Sequence, residues 1–491
     1  MTTTIELSPR GWKDRGTLLV FALLAVALLY PVILCAVAFP TPYIDLLEQR
    51  SWGLAFPLYT WKHPPLQAWV NGIVALTGAH DAWLFMVLGQ IINLLTLYYV
   101  VRIAREFIAI DLGAALVILV GGNVYLSAAL PTIALNADQL QAPLWAGLIY
   151  HALRAVRDNR WRDWILLGVM LSLAFLTKYF VLLLVLALLA AALVTPAYRR
   201  IFANVRFYVA GLVALLIVLP YLIALTKHHE AFSYGTVVFS AHASRLKALY
   251  KLVHPVVVTI LPIGIVAVWL YPRGLIRIER SLNPHVRLLM IAGAIFVVLQ
   301  VALILCGLEY SPRYTYPFLA LSACLCLALV RIEPRVLSSL AGFLLAAWAV
   351  IVPGTAVYAF AVLRPPLREP HSAAAAVIAQ QWNRRFKCGP AYIMGTKDAA
   401  FGVAFYFRGA AGPVIGVSLE DYLNRAQWID RGLIRQRGAI IVTYAHEQLP
   451  PWFAHDFSRR SALMTVSLPY RHTTSDARQT YAYAFVAPGG C

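Results

Sequence analysis

Apolar residues in this chain come in long runs, most of them close to bilayer-spanning length and each stopped by a short basic loop. No other feature restricts the fold as much. Hydrocarbon offers no water to pair with a backbone, so each run must close its own hydrogen bonds as a helix. About eleven such runs are expected, near 17–39, 83–101, 112–130, 138–153, 163–177, 179–195, 207–226, 252–271, 288–308, 314–330 and 336–360. The stretch 163–195 is too long for one upright helix, and it is divided at Lys178. Composition agrees: 61% of residues are hydrophobic and 13% charged, against about 25% charged in a soluble domain.

The net charge of +19 has a topological explanation. With the N-terminus inside, eighteen Arg and Lys fall in inside loops, against eight in outside loops before residue 360. Merging the fifth and sixth runs would put Arg199, Arg200 and Arg206 on the wrong side. Nucleic acid is therefore not implied as a partner; the bilayer is, and anionic lipid phosphates remain open. The opening MTTTIELSPRGWKDRG has no small-residue cleavage site before Pro40, so the first run reads as a retained helix.

After Leu363 the composition changes. SAAAAVIAQQWNRRF and SLEDYLNRAQWIDRGLIRQRG each read as one helix, AYIMGT and AIIVTY as strands, and SALMTVSL with TYAYAFVAP as paired strands. The expected organisation is a transmembrane helix bundle over 1–363 and a small α/β domain over 364–491, placed outside by an odd number of spans. Cys35, Cys306, Cys324 and Cys326 lie in or beside apolar runs and read as packing residues, while Cys388 and Cys491 could pair in an oxidising compartment. No zinc-type cysteine spacing is present.

The first outside loop, TPYIDLLEQRSWGLAFPLYTWKHPPLQAWV, is the richest in chemistry. Asp45 lies just beyond the first span, where a carboxylate can serve as general base or simply be solvated. Asp138 opens the fourth span as a candidate site acid or a helix N-cap. Lys178 follows the fifth span as a candidate anion ligand or a snorkelling side chain. Arg313 can clasp a phosphate or pair with Glu309. Lys227, His228, His229 and Glu230, with His242 nearby, form a weaker cluster, since adjacent histidines do not share a helix face.

Asp45 followed eighteen residues later by His63-Pro64-Pro65-Leu66, then Asp138, Thr177-Lys178-Tyr179 and Arg313-Tyr314, resembles bacterial glycosyltransferases related to protein mannosyltransferases and aminoarabinose transferases. The resemblance covers about residues 15–330, by short motifs whose order and shared side carry it. It implies the multi-span GT-C fold, a polyprenyl-phosphate sugar donor, and transfer to lipid A, another envelope glycolipid or protein at the periplasmic face of a bacterial inner membrane. It also implies Asp45 and Asp138 as catalytic, Lys178, His63 and Arg313 as donor-phosphate ligands, and Glu48 and His229 as acceptor or donor contacts. Leu46 stands where the family has an acid, and Lys62 where some members carry one. Both changes lower the local negative charge, so no metal is expected. Neither a Walker nor a Rossmann motif occurs, consistent with no nucleotide and no cofactor. The rivals are a lipid-linked-sugar transporter, an O-antigen-ligase-like enzyme and a degenerate relative.

Overall fold

The computed structural model describes residues 41–77, 81–108, 135–228, 244–279, 282–333, 369–408, 412–424, 426–471 and 476–490, with a few isolated positions elsewhere. The first expected span and most of the third and last lie outside the described residues, as do His229, Glu230, His242 and Cys491.

The first loop forms two helices, α1 (Ile44–Gly53) and α2 (Leu66–Leu76). The bundle follows: α3 (Ala82–Ala104), α4 (Ala137–Asp158), α5 (Trp161–Phe175), α6 (Val181–Val194), α7 (Val205–Lys227), α8 (Arg245–Leu270) and α9 (Pro284–Leu305). Asparagine starts three of these: Asn136, Asn204 and Asn283 each accept a backbone N–H from the first turn of α4, α7 and α9. Of the described helices, α3, α7 and α9 are long and apolar enough to cross a membrane. The chain breaks between α5 and α6 around Lys178, as expected. The tenth expected span is not one helix. It divides into α10 (Tyr316–Leu319) and α11 (Ser322–Leu329), then turns extended because β2 (Val330–Ile332) pairs antiparallel with β1 (Ile276–Ile278).

The C-terminal part runs α12 (His371–Arg385), β3 (Tyr392–Gly395), α13 (Lys397–Tyr406), β4 (Ile415–Ser418), α14 (Leu419–Leu423), α15 (Arg431–Arg437), β5 (Ala439–Tyr444), α16 (Pro451–Asp456), β6 (Met464–Pro469) and β7 (Arg478–Val486). Its sheet has the order β4-β3-β5-β7-β6, with β3 parallel to both β4 and β5, and β7 antiparallel to β5 and β6. The central strand β5 is apolar along nearly all its length because both faces are covered. The single helix expected over 418–438 is two short ones. Ser418 and Asp421 form a capping box that starts α14, and Asp430 caps a new start at α15. Helix α13 and strand β4 were not anticipated. Their sequences, KDAAFGVAFY and IGVS, are short and apolar without a clear period.

Helices α1 and α2 touch backbone to backbone. A Cβ on Gly72 would lie 2.2 Å from the Gly53 carbonyl oxygen, and one on Gly53 would lie 2.2 Å from that of Ala68. This contact fixes the loop that carries Asp45 and His63. Gly72→Ala is expected to lower stability by about 1–3 kcal/mol, as overpacking does. Thermal unfolding in detergent measures it, with Gly211→Ala, whose Cβ meets open space inside α7, as the control expected to hold or raise stability.

The C-terminal part sits directly on this helical pair. Trp52, Phe401, Phe405 and Trp428 share one apolar cluster with Leu46 and Leu47. Gly416 N–H donates to Ser51 Oγ at 3.1 Å, Thr41 Oγ1 to the Glu369 carbonyl at 2.9 Å, and the Gln427 amide to the Tyr59 carbonyl at 3.1 Å. Buried Arg50 stacks over Phe405 at 4.8 Å.

Candidate active site

A cavity of about 740 Å³ opens between the first-loop helices and the bundle. Its lining combines the apolar Phe175, Phe180, Leu183, Leu222, Leu225 and Leu303 with the polar and charged Asp45, Gln49, Lys62, His63, Asp138, Lys178 and Arg313.

The charged residues of the lining belong to a continuous chain of alternating sign that runs on behind it to Glu48 and Lys397. Lys397 lies 3.1 Å from Glu48, and Glu48 lies 2.6 Å from Lys62. Lys62 is 3.3 Å from Asp45, Asp45 is 3.0 Å from Arg313, and Arg313 is 3.3 Å from Asp138. Asp138 pairs with Lys178 at the far end. Five of these residues come from loops or helix ends of the first-loop helices and the bundle, Glu48 comes from the middle of α1, and Lys397 from the start of α13.

Local sequence explains the placement. Asn136, not Asp138, caps α4, which leaves the Asp138 carboxylate free to meet Lys178. Lys178 is 9% exposed and paired, so it does not snorkel to water. Its ammonium also lies 5.6 Å over the Tyr314 ring, which stacks on Phe180. Arg313 pairs with Asp45 and Asp138, not with Glu309. Glu48 is fully buried and held between two lysines, so it braces the chain rather than facing a guest. Lys62, read from sequence only as a departure, is a central member.

Burial alone would raise the pKa of Asp45, but Lys62, then Arg313, hold it well below the usual carboxylate range. Burial works against the Lys62 charge, yet Glu48 and then Asp45 push its pKa above the ordinary lysine value. His63 goes the other way: burial, then the positive charges of Lys62 and Lys178, keep it well below the ordinary imidazole range. It therefore enters the cavity as a neutral ring and can meet a phosphate only as a hydrogen-bond donor, not as a cation. Tyr234 packs edge-on against it at 5.8 Å. In the Lys227 cluster, His228 stacks on Tyr59 at 4.6 Å. Among the described residues, no group of three or more His, Cys, Asp or Glu has the geometry to hold a metal ion.

Asp421 joins the C-terminal part to the site. It is fully buried, and its Oδ1 accepts the indole N–H of Trp61 at 2.8 Å and of Trp52 at 3.1 Å, while Oδ2 accepts Ser418 N–H at 3.0 Å. Burial pushes its pKa up to about 7 despite these donors. A carboxyl raised on folding binds protons more tightly when folded, so its contribution to stability falls as pH rises toward 7. Asp421→Asn is expected to flatten the decline in thermal midpoint between pH 5 and 7, measured by unfolding in detergent across that range.

A family profile described as Dolichyl-phosphate-mannose-protein mannosyltransferase matches residues 62–223, which include Lys62, His63, Asp138 and Lys178. Comparison with curated proteins found no match. Two crystal structures share the fold. ArnT from Cupriavidus metallidurans bound to undecaprenyl phosphate is 15% identical, with a TM-score of 0.59 over 95% of this chain and 98% of that one. The same protein in the apo state is 15% identical, with a TM-score of 0.60 over 96% and 98%. By sequence over residues 62–223 and by fold over nearly its whole length, the chain resembles the GT-C membrane glycosyltransferases of the protein-mannosyltransferase and ArnT type.

Proposed function

We propose that this protein transfers a sugar from a polyprenyl-phosphate donor to an acceptor at the periplasmic face of a bacterial inner membrane. The observation that carries the proposal is the composition of the cavity, whose lining joins many apolar side chains to the cations Lys178 and Arg313. An amphiphile with a hydrocarbon tail and a phosphate head matches that composition. The solved ArnT structure with undecaprenyl phosphate gives the same chemistry in a protein of the same fold. The disulfide bond at Cys388 supports an oxidising compartment for the C-terminal part. The 1–363 and 364–491 division is retained as an organisation of the chain, with Lys397 reaching from the second part into the first.

The reaction is a displacement at the anomeric carbon. The bond from that carbon to the acceptor oxygen or nitrogen forms as its bond to the phosphate oxygen breaks, and the electron pair leaves with the phosphate. Lys178 and Arg313 stabilise that charge as fixed cations. A phosphate here competes with Asp138 and Asp45 for the same cations, which loosens the hold on Asp45. Asp45 then orients the acceptor's hydroxyl or amine and takes its proton. His63 donates a neutral N–H at the head group. Acceptors of three kinds fit the site: lipid A, another envelope glycolipid, or protein. Membranes holding the protein, supplied with labelled polyprenyl-phosphate sugars, are expected to pass label to lipid or protein. No transfer from any donor tested would overturn the proposal.

A further inference from the structure

Two glutamines in the cavity stand apart from the ionic chain. Gln49 lies one helical turn beyond Asp45 on α1, on the same face, and Gln67 is the second residue of α2, just past the Pro64-Pro65 pair. Both line the cavity, and each is 1% exposed. The Gln67 amide has no partner at either Nε2 or Oε1, and Gln49 has none at Oε1. The next polar residue along α2, Asn71, does not line the cavity, and its amide N–H donates to the Gln67 backbone carbonyl at 2.8 Å.

A buried amide with unmade hydrogen bonds is costly, and interiors rarely keep one without reason. Two of them facing one cavity point to a guest that supplies the missing partners. The group that meets these amides is neutral and polar, since an amide has no charge to offset and neither glutamine is a member of the ionic chain. It must also offer donors and acceptors together, because Gln67 has both an N–H and a carbonyl to satisfy. A hydroxyl does both at one oxygen.

The position narrows the guest further. If the lipid tail follows the leucine and phenylalanine side chains and the phosphate sits at Lys178 and Arg313, whatever is attached to the phosphate lies among the polar residues, beside Asp45. We infer that Gln49 and Gln67 form the subsite that reads the hydroxyl groups of the donor's sugar, an inference that rests on the donor proposed above. They are specificity residues: they act on which sugar is accepted, and Lys178 and Arg313 act on the lipid phosphate whatever it carries.

The test compares affinity for undecaprenyl phosphate alone with affinity for undecaprenyl phosphates bearing mannose, glucose, galactose or arabinose, in wild type, Gln67→Met and Gln49→Met. The wild type is expected to prefer at least one sugar-bearing lipid over the bare lipid phosphate. Each variant is expected to lose about tenfold of that preference, one hydrogen-bonding group's worth, while binding bare undecaprenyl phosphate as the wild type does. The variants are also expected to melt higher than the wild type, because methionine removes an unsatisfied amide and keeps its shape. A lower melting point with unchanged sugar preference would assign the glutamines to structure and overturn the inference. A wild type that binds bare and sugar-bearing lipids alike would overturn it too. A wild type that binds no undecaprenyl phosphate would overturn the donor assignment and this inference with it.

Discussion

Asp45→Asn abolishes sugar transfer while sparing the protein's fold and its hold on lipid phosphate. The loss is expected at about 10²–10⁴-fold, the range for removing a positioned acid–base group. Asparagine keeps the shape, so the change is one of charge. Lys62 loses one of its two carboxylates but keeps Glu48 at 2.6 Å, so it stays in place. Arg313 loses Asp45 but keeps Asp138. With one competitor gone, Arg313 is freer to meet phosphate, so affinity for undecaprenyl phosphate is expected to hold or rise as turnover collapses. Rates and binding measured on the same purified protein separate the two effects. Transfer within a few-fold of wild type would remove Asp45 from the chemistry.

Lys178→Met should act on both stability and binding. It leaves Asp138 nearly buried with Arg313 as its remaining cation. Breaking a buried ion pair from one side costs about 3–5 kcal/mol, and the Arg313 contact puts this case at the lower end. The double variant Lys178→Met with Asp138→Asn removes the orphaned charge and is expected to recover most of the stability. It is not expected to recover affinity for undecaprenyl phosphate, which falls at least tenfold in both variants, or transfer. Thermal unfolding and lipid-phosphate binding on the two proteins check this. Binding that returns together with stability would make Lys178 a structural partner only.

Much of the site could be read before the structure was known, for a physical reason. Charges beside a bilayer are expensive and therefore few, so Asp45, Asp138, Lys178 and Arg313 stand out in an apolar sequence. Their pairing could not be read. Arg313 has Glu309 as a close sequence neighbour, yet it reaches residues 268 and 175 positions away. Lys397 lies in a segment without a clear pattern and acquires a role only because α13 packs beneath α1. His63 was identified, but its charge state depends on burial and on Lys178, which only folding supplies, as well as on its sequence neighbour Lys62. The helices themselves were legible where the apolar run was long and uninterrupted, as in α3, α7 and α9. They were misjudged where a local cap intervened, as at Asp430, or a distant strand did, as with the ribbon that ends α11 at Leu329.

The alternating chain of charges ends in a cation at both ends, so four positive groups face three carboxylates. A wall with one unbalanced positive charge is electrically neutral when it holds a guest carrying a single negative one. A sugar joined to its lipid through one phosphate is such a guest. A sugar joined through a pyrophosphate brings a second charge, for which this wall has no counterpart. A monophosphate bridge thus matches the single unbalanced charge of the chain, and a pyrophosphate bridge exceeds it.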